Sequence, residues 1–523
     1  PRHTGPPGVV AGRHREDNVN ATIGFDNERY LEEQARAILS RVERFDRKLY
    51  LEFGGKLLFD YHASRVLPGI DPNVKMRLLG QLREKAEILL CVHAGAIERR
   101  KIRADFGITY DADAMKLIDE LRERAIELRA VVITRYAGEP GARVFRNRLE
   151  RAGVPVCVHG ATRGYPSDVD RIVSAEGYGA NEYISTSRPL IVVTGPGPGS
   201  GKLATCLSQM YHDHLHGIRS GFAKFETFPI WDLPLNHPVN VAYEAATAEL
   251  ADVNMIDPFH LEAYGKTAVN YNRDVDAFPV LRSILERITG GDPLYRSPTD
   301  MGVNMASRGI VDGAVVAEAA RQEVIRRYFR YSAEYVMGLV DQPAVERTRR
   351  LMQALSLRPE DRTTVEPARQ AARDAQATAK GDAGIWCGAA IELKDGAIVT
   401  GKNSPIMHAA SSLVLNAVKH LARVPDEIHP LAPALMEAVG RLKIDVLGQA
   451  SVSLDVEETL TALGISAATS HVAQVCVEQL KNLRGCDVHL THIPTPGDAA
   501  GLRRLGVYVT SGAAFASRGL FVP

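Results

Sequence analysis

The sequence predicts an α/β protein: a Rossmann-like parallel sheet domain, followed by a helical domain and a smaller C-terminal α/β domain. Two observations lead there. Apolar runs of strand length, "KLYLEFGGK", "AEILLCVHAG", "AVVITRY", "VPVCVHG" and "PLIVVTG", are separated by stretches that can be helical, such as 114–128 and 142–152. Strands apolar on both faces, in alternation with helices, are the sequence form of a parallel sheet covered on each side. The length, 523 residues, exceeds what one hydrophobic core fills and points to about two to four domains. The expected divisions are a disordered segment 1–24, the Rossmann-like domain 25–235, a helical domain and linker 236–382, and the C-terminal domain 383–523.

Taken in order, a helical pattern begins at Tyr30 and continues through Leu31, Ala35, Ile38, Leu39 and Val42. The strand-like runs follow, and "SGFAKFETFPIWDLPLNHPVN" supplies a further strand and a proline-punctuated exit from the sheet. Helix formers dominate "NVAYEAATAEL", "AFPVLRSILERI" and "VVAEAARQEVIRRYFRYSAEYVMGLV". Residues 360–382 are polar and alanine-rich and read as a solvated helix or linker. In "GIWCGAAIELKDGAIVTGKNS" two runs flank a Lys-Asp-Gly turn, a hairpin signal. A helix over Ala409–Leu421 and strands at "CDVHLTHI" and "LGVYVTS" complete the chain's last domain.

Composition narrows the function. Basic and acidic side chains number 63 each, with a pI near 7.6, which gives no electrostatic reason to expect nucleic acid or a polybasic membrane anchor. The six cysteines are scattered without CxxC pairs, so neither disulfides nor a zinc ribbon is expected. No apolar run approaches the roughly 20 residues that span a bilayer. A cytoplasmic protein acting on a small ligand, with a homo-oligomer as one expectation, fits these features.

The segment "PLIVVTGPGPGSGKLATCLSQMYHDH" carries the main functional signal. A strand runs through alternating glycines into Lys202, and Leu203, Cys206, Leu207, Met210 and Tyr211 recur at helical spacing. A helix N-terminus offers unpaired N–H groups and a positive dipole end, and glycines let the backbone approach an anion. Gly195, Gly197, Gly199, Ser200, Gly201 and Lys202 are therefore the candidate phosphate cradle. The match to a Walker A loop is imperfect: Gly195 is followed by one residue too many before Gly-Lys, and Leu203 stands where a magnesium-binding hydroxyl belongs. Thr194, Ser200 and Thr205 are the available substitutes. The alternative is a rigid strand-to-helix turn with a solvated Lys202.

Ligands bind at the carboxyl ends of parallel strands. Those ends would carry Gly54-Gly55-Lys56, His93, Thr134-Arg135, His159-Gly160 and the glycine loop, so Lys56 and Arg135 are further candidates for holding phosphate. Asp60, His62 and Arg65 follow the first strand. A second polar segment, "NMIDPFHLEAYGKTAVNYNRD", supplies Asp257, His260, Glu262, Lys266 and Arg273 as candidate acid/base or metal-binding groups; capping residues and surface ion pairs are the simpler account. Towards the chain's end, His408 stands before a helix after a β-hairpin, an arrangement similar to zinc deaminases. Here His408-Ala409-Ala410 lacks their catalytic Glu, and no Pro-Cys-x-x-Cys follows, so deamination is not expected.

Together, "KLYLEFGGKLLFDYHASRVLPG", "VVTGPGPGSGKLATCLSQMYHD", "DVNMIDPFHLEAYGKTAVNYNRD" and "YRSPTDMGVN" resemble a bacterial family of about this length whose domain has no known function. The resemblance covers nearly the whole chain after the first 20 residues. It implies the same three-part architecture and supplies no catalytic residues. The leading expectation is an enzyme that binds a nucleotide with magnesium, or another small phosphorylated ligand, at Gly195–Lys202, with phosphoryl transfer as the reaction. The rivals are a non-catalytic phosphometabolite-binding or scaffold protein and a metal-dependent hydrolase centred on Asp257, His260 and Glu262.

Overall fold

The computed structural model describes residues 23–46, 48–103, 107–291, 293–382, 384–449 and 451–517. The expected disordered segment lies outside these residues except for its last two. The chain divides into two compact units. One comprises residues up to 227 with 280–294 and 301–317; the other comprises 228–279, 295–300 and 318 onward.

The first unit is built on a seven-stranded sheet. Its strands are Leu49–Phe53 (β1), Ala86–His93 (β2), Glu127–Thr134 (β3), Val156–Val158 (β4), Leu190–Thr194 (β5), Gly221–Phe225 (β6) and Gly302–Val303 (β7). They lie in the order β7-β6-β1-β5-β2-β3-β4, and every neighbouring pair is parallel. β2 and β5 are buried along almost their whole length, as expected of central strands covered on both faces. The order departs from the order along the chain where β5 inserts between β1 and β2 and where β6 and β7 continue on the far side of β1. The carboxyl end of β5, and whatever follows it, thus sits at the middle of the sheet.

Helix α1 (Asn27–Glu43) begins where Asp26 caps the amides of Glu28 and Arg29, at 2.9 and 3.1 Å, and it buries Tyr30, Leu31, Gln34, Ile38 and Val42. Gln34 is polar on that apolar face because it holds the sheet edge. It donates to the Val303 carbonyl at 2.9 Å and accepts from the Met305 amide at 2.8 Å. Helix α2 (Lys202–Leu215) is anchored by a buried ion pair: Asp213 meets Lys48 Nζ at 2.6 Å and accepts from the Tyr183 hydroxyl at 2.9 Å. Lys48 immediately precedes β1, so the pair ties the end of α2 to the start of the strand that borders β5.

In the second unit, short antiparallel strands Asn254–Ile256 and Val269–Tyr271 accompany several helices. Its later part carries a four-stranded sheet of Gly388–Glu392 (β8), Ile398–Lys402 (β9), Asp487–Leu490 (β10) and Tyr508–Ser511 (β11), in the order β9-β8-β10-β11. β8 and β9 form the expected antiparallel hairpin, whereas β10 and β11 are parallel. The alanine-rich stretch read as a solvated helix or linker forms helix α3 (Val365–Ala377), whose Ala368, Ala371 and Ala375 are buried. It is a packed element. Side chains this small let it approach β8 so closely that a Cβ on Gly388 would run into the Ala368 carbonyl. Helices α4 (Ala409–Ala422) and α5 (Pro496–Leu505) complete this part. No helix among the described residues is long and apolar enough to cross a membrane.

Removing one partner of a buried ion pair leaves the other charge uncompensated, at a cost of about 3–5 kcal/mol. Lys48→Met is expected to lower unfolding free energy by that amount in denaturant melts, and Tyr183→Phe by about 1 kcal/mol.

Candidate functional site

The glycine loop joins β5 to α2 at the middle of the sheet's carboxyl rim. Gly201 occupies the N-cap of α2 with φ +88° and supplies no side-chain cap. A Cβ there would lie 2.7 Å from the Thr134 side chain, whose hydroxyl donates to the Ser200 carbonyl at 2.7 Å. At Gly195 a Cβ would lie 2.5 Å from the Cys91 carbonyl. The loop is therefore seated against the ends of β2 and β3 by contacts that only glycine permits. Among the described residues, the amides of Gly199, Gly201, Lys202, Leu203 and Ala204 find no protein acceptor, the open condition of a helix start that can receive an anion.

The three hydroxyls weighed as magnesium ligands separate clearly. Ser200 donates to the Gly197 carbonyl at 2.6 Å, and Thr205 accepts from the Cys91 thiol at 3.4 Å. Both are engaged within the protein. The Thr194 hydroxyl, fully buried at the end of β5, has no partner.

Lys202 does not extend into solvent. Its Nζ lies 4.0 Å from Glu52 Oε1, the two side chains being 11% and 12% exposed, and Glu52 Oε2 is buried without a partner. Glu52 is the penultimate residue of β1 and stands in register with Val193 of β5 and Lys224 of β6. Lys224 in turn pairs with Glu226 at 3.1 Å. The sequence reading missed Glu52, Lys224 and Glu226. Their signal was the charged residues within or directly after two otherwise apolar runs, "LYLEF" and "GFAKFE".

Other predicted rim residues divide into two kinds. Lys56 lines a hollow of about 10 Å³ with Asp113, Leu117, Gly195 and Pro196, room for one water molecule. Arg135 is exposed directly after Thr134, with a left-handed φ of +51°. These two stay beside the loop. His93 instead caps a short helix, its Nδ1 accepting from the Ala96 amide at 3.0 Å; burial, with Arg135 and Arg99, lowers its pKa. His159 donates from Nε2 to the Glu182 carbonyl at 3.1 Å, and burial lowers its pKa to about 4. Asp60 caps a helix and meets the buried Lys75 at 3.0 Å. Burial alone would raise its pKa, but the Lys75 charge outweighs that and holds it at about 2.

The second polar segment lies in the other unit. Asp257 is fully buried and accepts from the His260 amide, the Thr299 amide and the Thr299 hydroxyl, at 3.0, 3.1 and 2.6 Å. His260 Nδ1 meets Ser297 Oγ at 3.0 Å. Arg273 pairs with Asp252 at 3.0 Å, while Glu262 and Lys266 are exposed. Asp257 and His260 thus hold two loops together. Among the described residues no three His, Cys, Asp or Glu side chains could hold a metal ion, so a hydrolytic centre at Asp257, His260 and Glu262 has no ready-made ligand set.

A family model described as domain of unknown function DUF1846, N-terminal, matches residues 23–356, and its C-terminal counterpart matches 360–521. Relatives called UPF0371 protein include one from Clostridium botulinum (strain ATCC 19397 / Type A), 53% identical, and one from Clostridium tetani (strain Massachusetts / E88), 52% identical. Each similarity runs over 500 residues, 95% of this chain and 99% of the relative.

Two outcomes follow from this geometry. Gly201→Ala is expected to cost at least about 1 kcal/mol of stability in a denaturant melt, because φ is positive and Thr134 blocks the Cβ. His159 is neutral when folded and binds a proton on unfolding below about pH 6.5, so its contribution is complete above that pH and falls away toward pH 4. Between pH 7 and 5, His159→Gln should lose about 2 kcal/mol less stability than the wild type.

Proposed function

The chain belongs to the DUF1846 family, and we propose that it binds a nucleotide or another phosphorylated small molecule at Gly195–Lys202, with phosphoryl transfer as its reaction. The observation that supports this most is the open N-terminus of α2, with free amides, at the centre of a parallel sheet's carboxyl rim, directly beside a half-neutralised lysine. A helix dipole alone contributes about 0.3–1 kcal/mol, whereas micromolar binding requires about 8. Charge must supply much of the difference.

Lys202 is the nearest charge, with Lys56 and Arg135 at the margin. Glu52 would repel a bare phosphate. A magnesium ion resolves that conflict, since Mg²⁺ is commonly held by one or two carboxylates together with ligand phosphates and water. Glu52 is its proposed protein ligand. Phosphoryl transfer asks little of a protein beyond such positioning and neutralisation. A non-catalytic binding or scaffold role is the second reading, favoured by the exposed apolar run of Tyr335, Val336, Met337 and Leu339, which offers a surface for self-association.

Thermal unfolding with a panel of nucleotides, sugar phosphates and pyrophosphate, with and without magnesium, tests the first reading. A ligand at 100 times its Kd adds about 2.7 kcal/mol, a shift of several degrees. The shift is expected to vanish in Lys202→Ala, and Glu52→Gln should remove its dependence on magnesium. If no phosphate ligand moves the transition, the loop is only a rigid turn.

A further inference from the structure

His408, Asp498 and His492 gather near the carboxyl end of the parallel pair β10 and β11, and none of them serves the site proposed above. Asp498, in the first turn of α5, is fully buried. One of its oxygens accepts from the Val456 amide at 3.1 Å; the other accepts from the Thr495 hydroxyl and from His408 Nδ1, both at 2.9 Å. A carboxylate only accepts, so His408 carries a proton on Nδ1 and presents Nε2 away from Asp498.

His408 is also the N-cap of α4, and its side chain makes no capping bond. Ala409, Ala410 and Ser411 are buried, yet among the described residues their amides have no acceptor. A buried donor left unsatisfied costs about 1–3 kcal/mol. His492, only 7% exposed, has an Nδ1 without a partner and lies within electrostatic reach of His408 and Asp498. The open start of α4, which His408 precedes, and a buried imidazole nitrogen without a partner thus both neighbour the His408–Asp498 pair.

We propose that this cluster is a second binding site, for an oxyanion (the carboxylate or phosphate group of a small molecule) held by the first-turn amides of α4, by His408 Nε2–H and by His492. Of the charged groups around it four pair off, and Asp455 is left as one further carboxylate. Asp498 offsets His408, and Glu458 pairs with Lys443 at 2.7 Å. Asp455 is spent on capping the helix 456–466, through the Glu458 amide at 2.9 Å. Cys387 stays a neutral thiol, pushed up to about 12 by burial and then by Asp498. Burial opposes the His408 imidazolium, but the hydrogen bond and charge of Asp498 outweigh it and raise its pKa. Anion affinity therefore falls as pH rises through that value.

Binding of inorganic phosphate and of acetate to the full chain carrying Lys202→Ala, which removes the glycine-loop lysine, tests the site. At least one probe is expected to bind saturably, and His408→Gln and His492→Gln should each weaken it tenfold or more. Binding of phosphate alone marks a phosphate ligand; binding of acetate marks a carboxylate. Ala409→Pro guards against misfolding of the imidazole variants. Proline is favoured at the first position of a helix, and the extended His408 before it, φ −67° and ψ 158°, accommodates it, so that variant deletes one amide donor while both imidazoles stay, and with an unfolding transition matching that of the parent chain it should also weaken binding. No saturable binding of either probe to Lys202→Ala, or affinity unchanged in these variants, overturns the proposal. Loss of phosphate binding at the glycine loop alone leaves this result unaffected.

Discussion

The common direction of the strands in the seven-stranded sheet is the constraint on which the rest depends. Because every neighbouring pair is parallel, the residues that follow each strand emerge on one rim, and those that precede it lie on the other. The insertion of β5 between β1 and β2 then decides which groups meet. Glu52 of β1, the Cys91 carbonyl of β2 and Thr134 of β3 all come to bear on one loop, although about 60 to 150 positions along the chain separate them from it. The opposite rim is fastened differently. There Lys48 meets Asp213, and Glu87 takes the amides of Ser187 and Arg188 at 2.6 and 2.7 Å. One end of the sheet is clamped by these contacts, and the other carries the open start of α2 beside Glu52 and Thr194, each with a buried oxygen that has no partner.

The fold was legible because its signals are local. A largely apolar run of strand length that leads into glycine reads as a buried parallel strand whatever lies next to it, and β1, β2 and β5 are such runs. The glycine loop was legible for the same reason: strand, turn and helix are contiguous in the chain. Glu52 was not. Within "KLYLEF" it is one carboxylate in an alternating run, and its meaning depends on β5 landing beside β1 and α2 crossing above it, which no local pattern encodes.

The burial of Asp257 and the packing of the alanine-rich stretch were hidden for related reasons. Asp257 caps a helix, as the simpler account of its polar segment has it, but its full burial against Thr299 could not be read locally, because that partner lies 42 positions away. The stretch around 365–377 looked solvated because alanine contributes little hydrophobicity. What alanine contributes is closeness of approach, visible only once β8, with Gly388, is placed against it.

The resting state of the glycine loop also bears on how the proposed ligand would bind. Two unit charges 4 Å apart attract by about 4 kcal/mol at an effective dielectric near 20, so Lys202 beside Glu52 offers an incoming phosphate little net charge. A divalent cation changes this, since Glu52 can turn to the metal and free Lys202 for the phosphate. With no three metal-binding side chains gathered nearby among the described residues, the cation in turn needs the ligand's oxygens to complete its shell. Each partner then raises the other's affinity by the same factor, as linkage requires. In the proposed site, coupling between metal and phosphate comes from one buried carboxylate at the end of one strand.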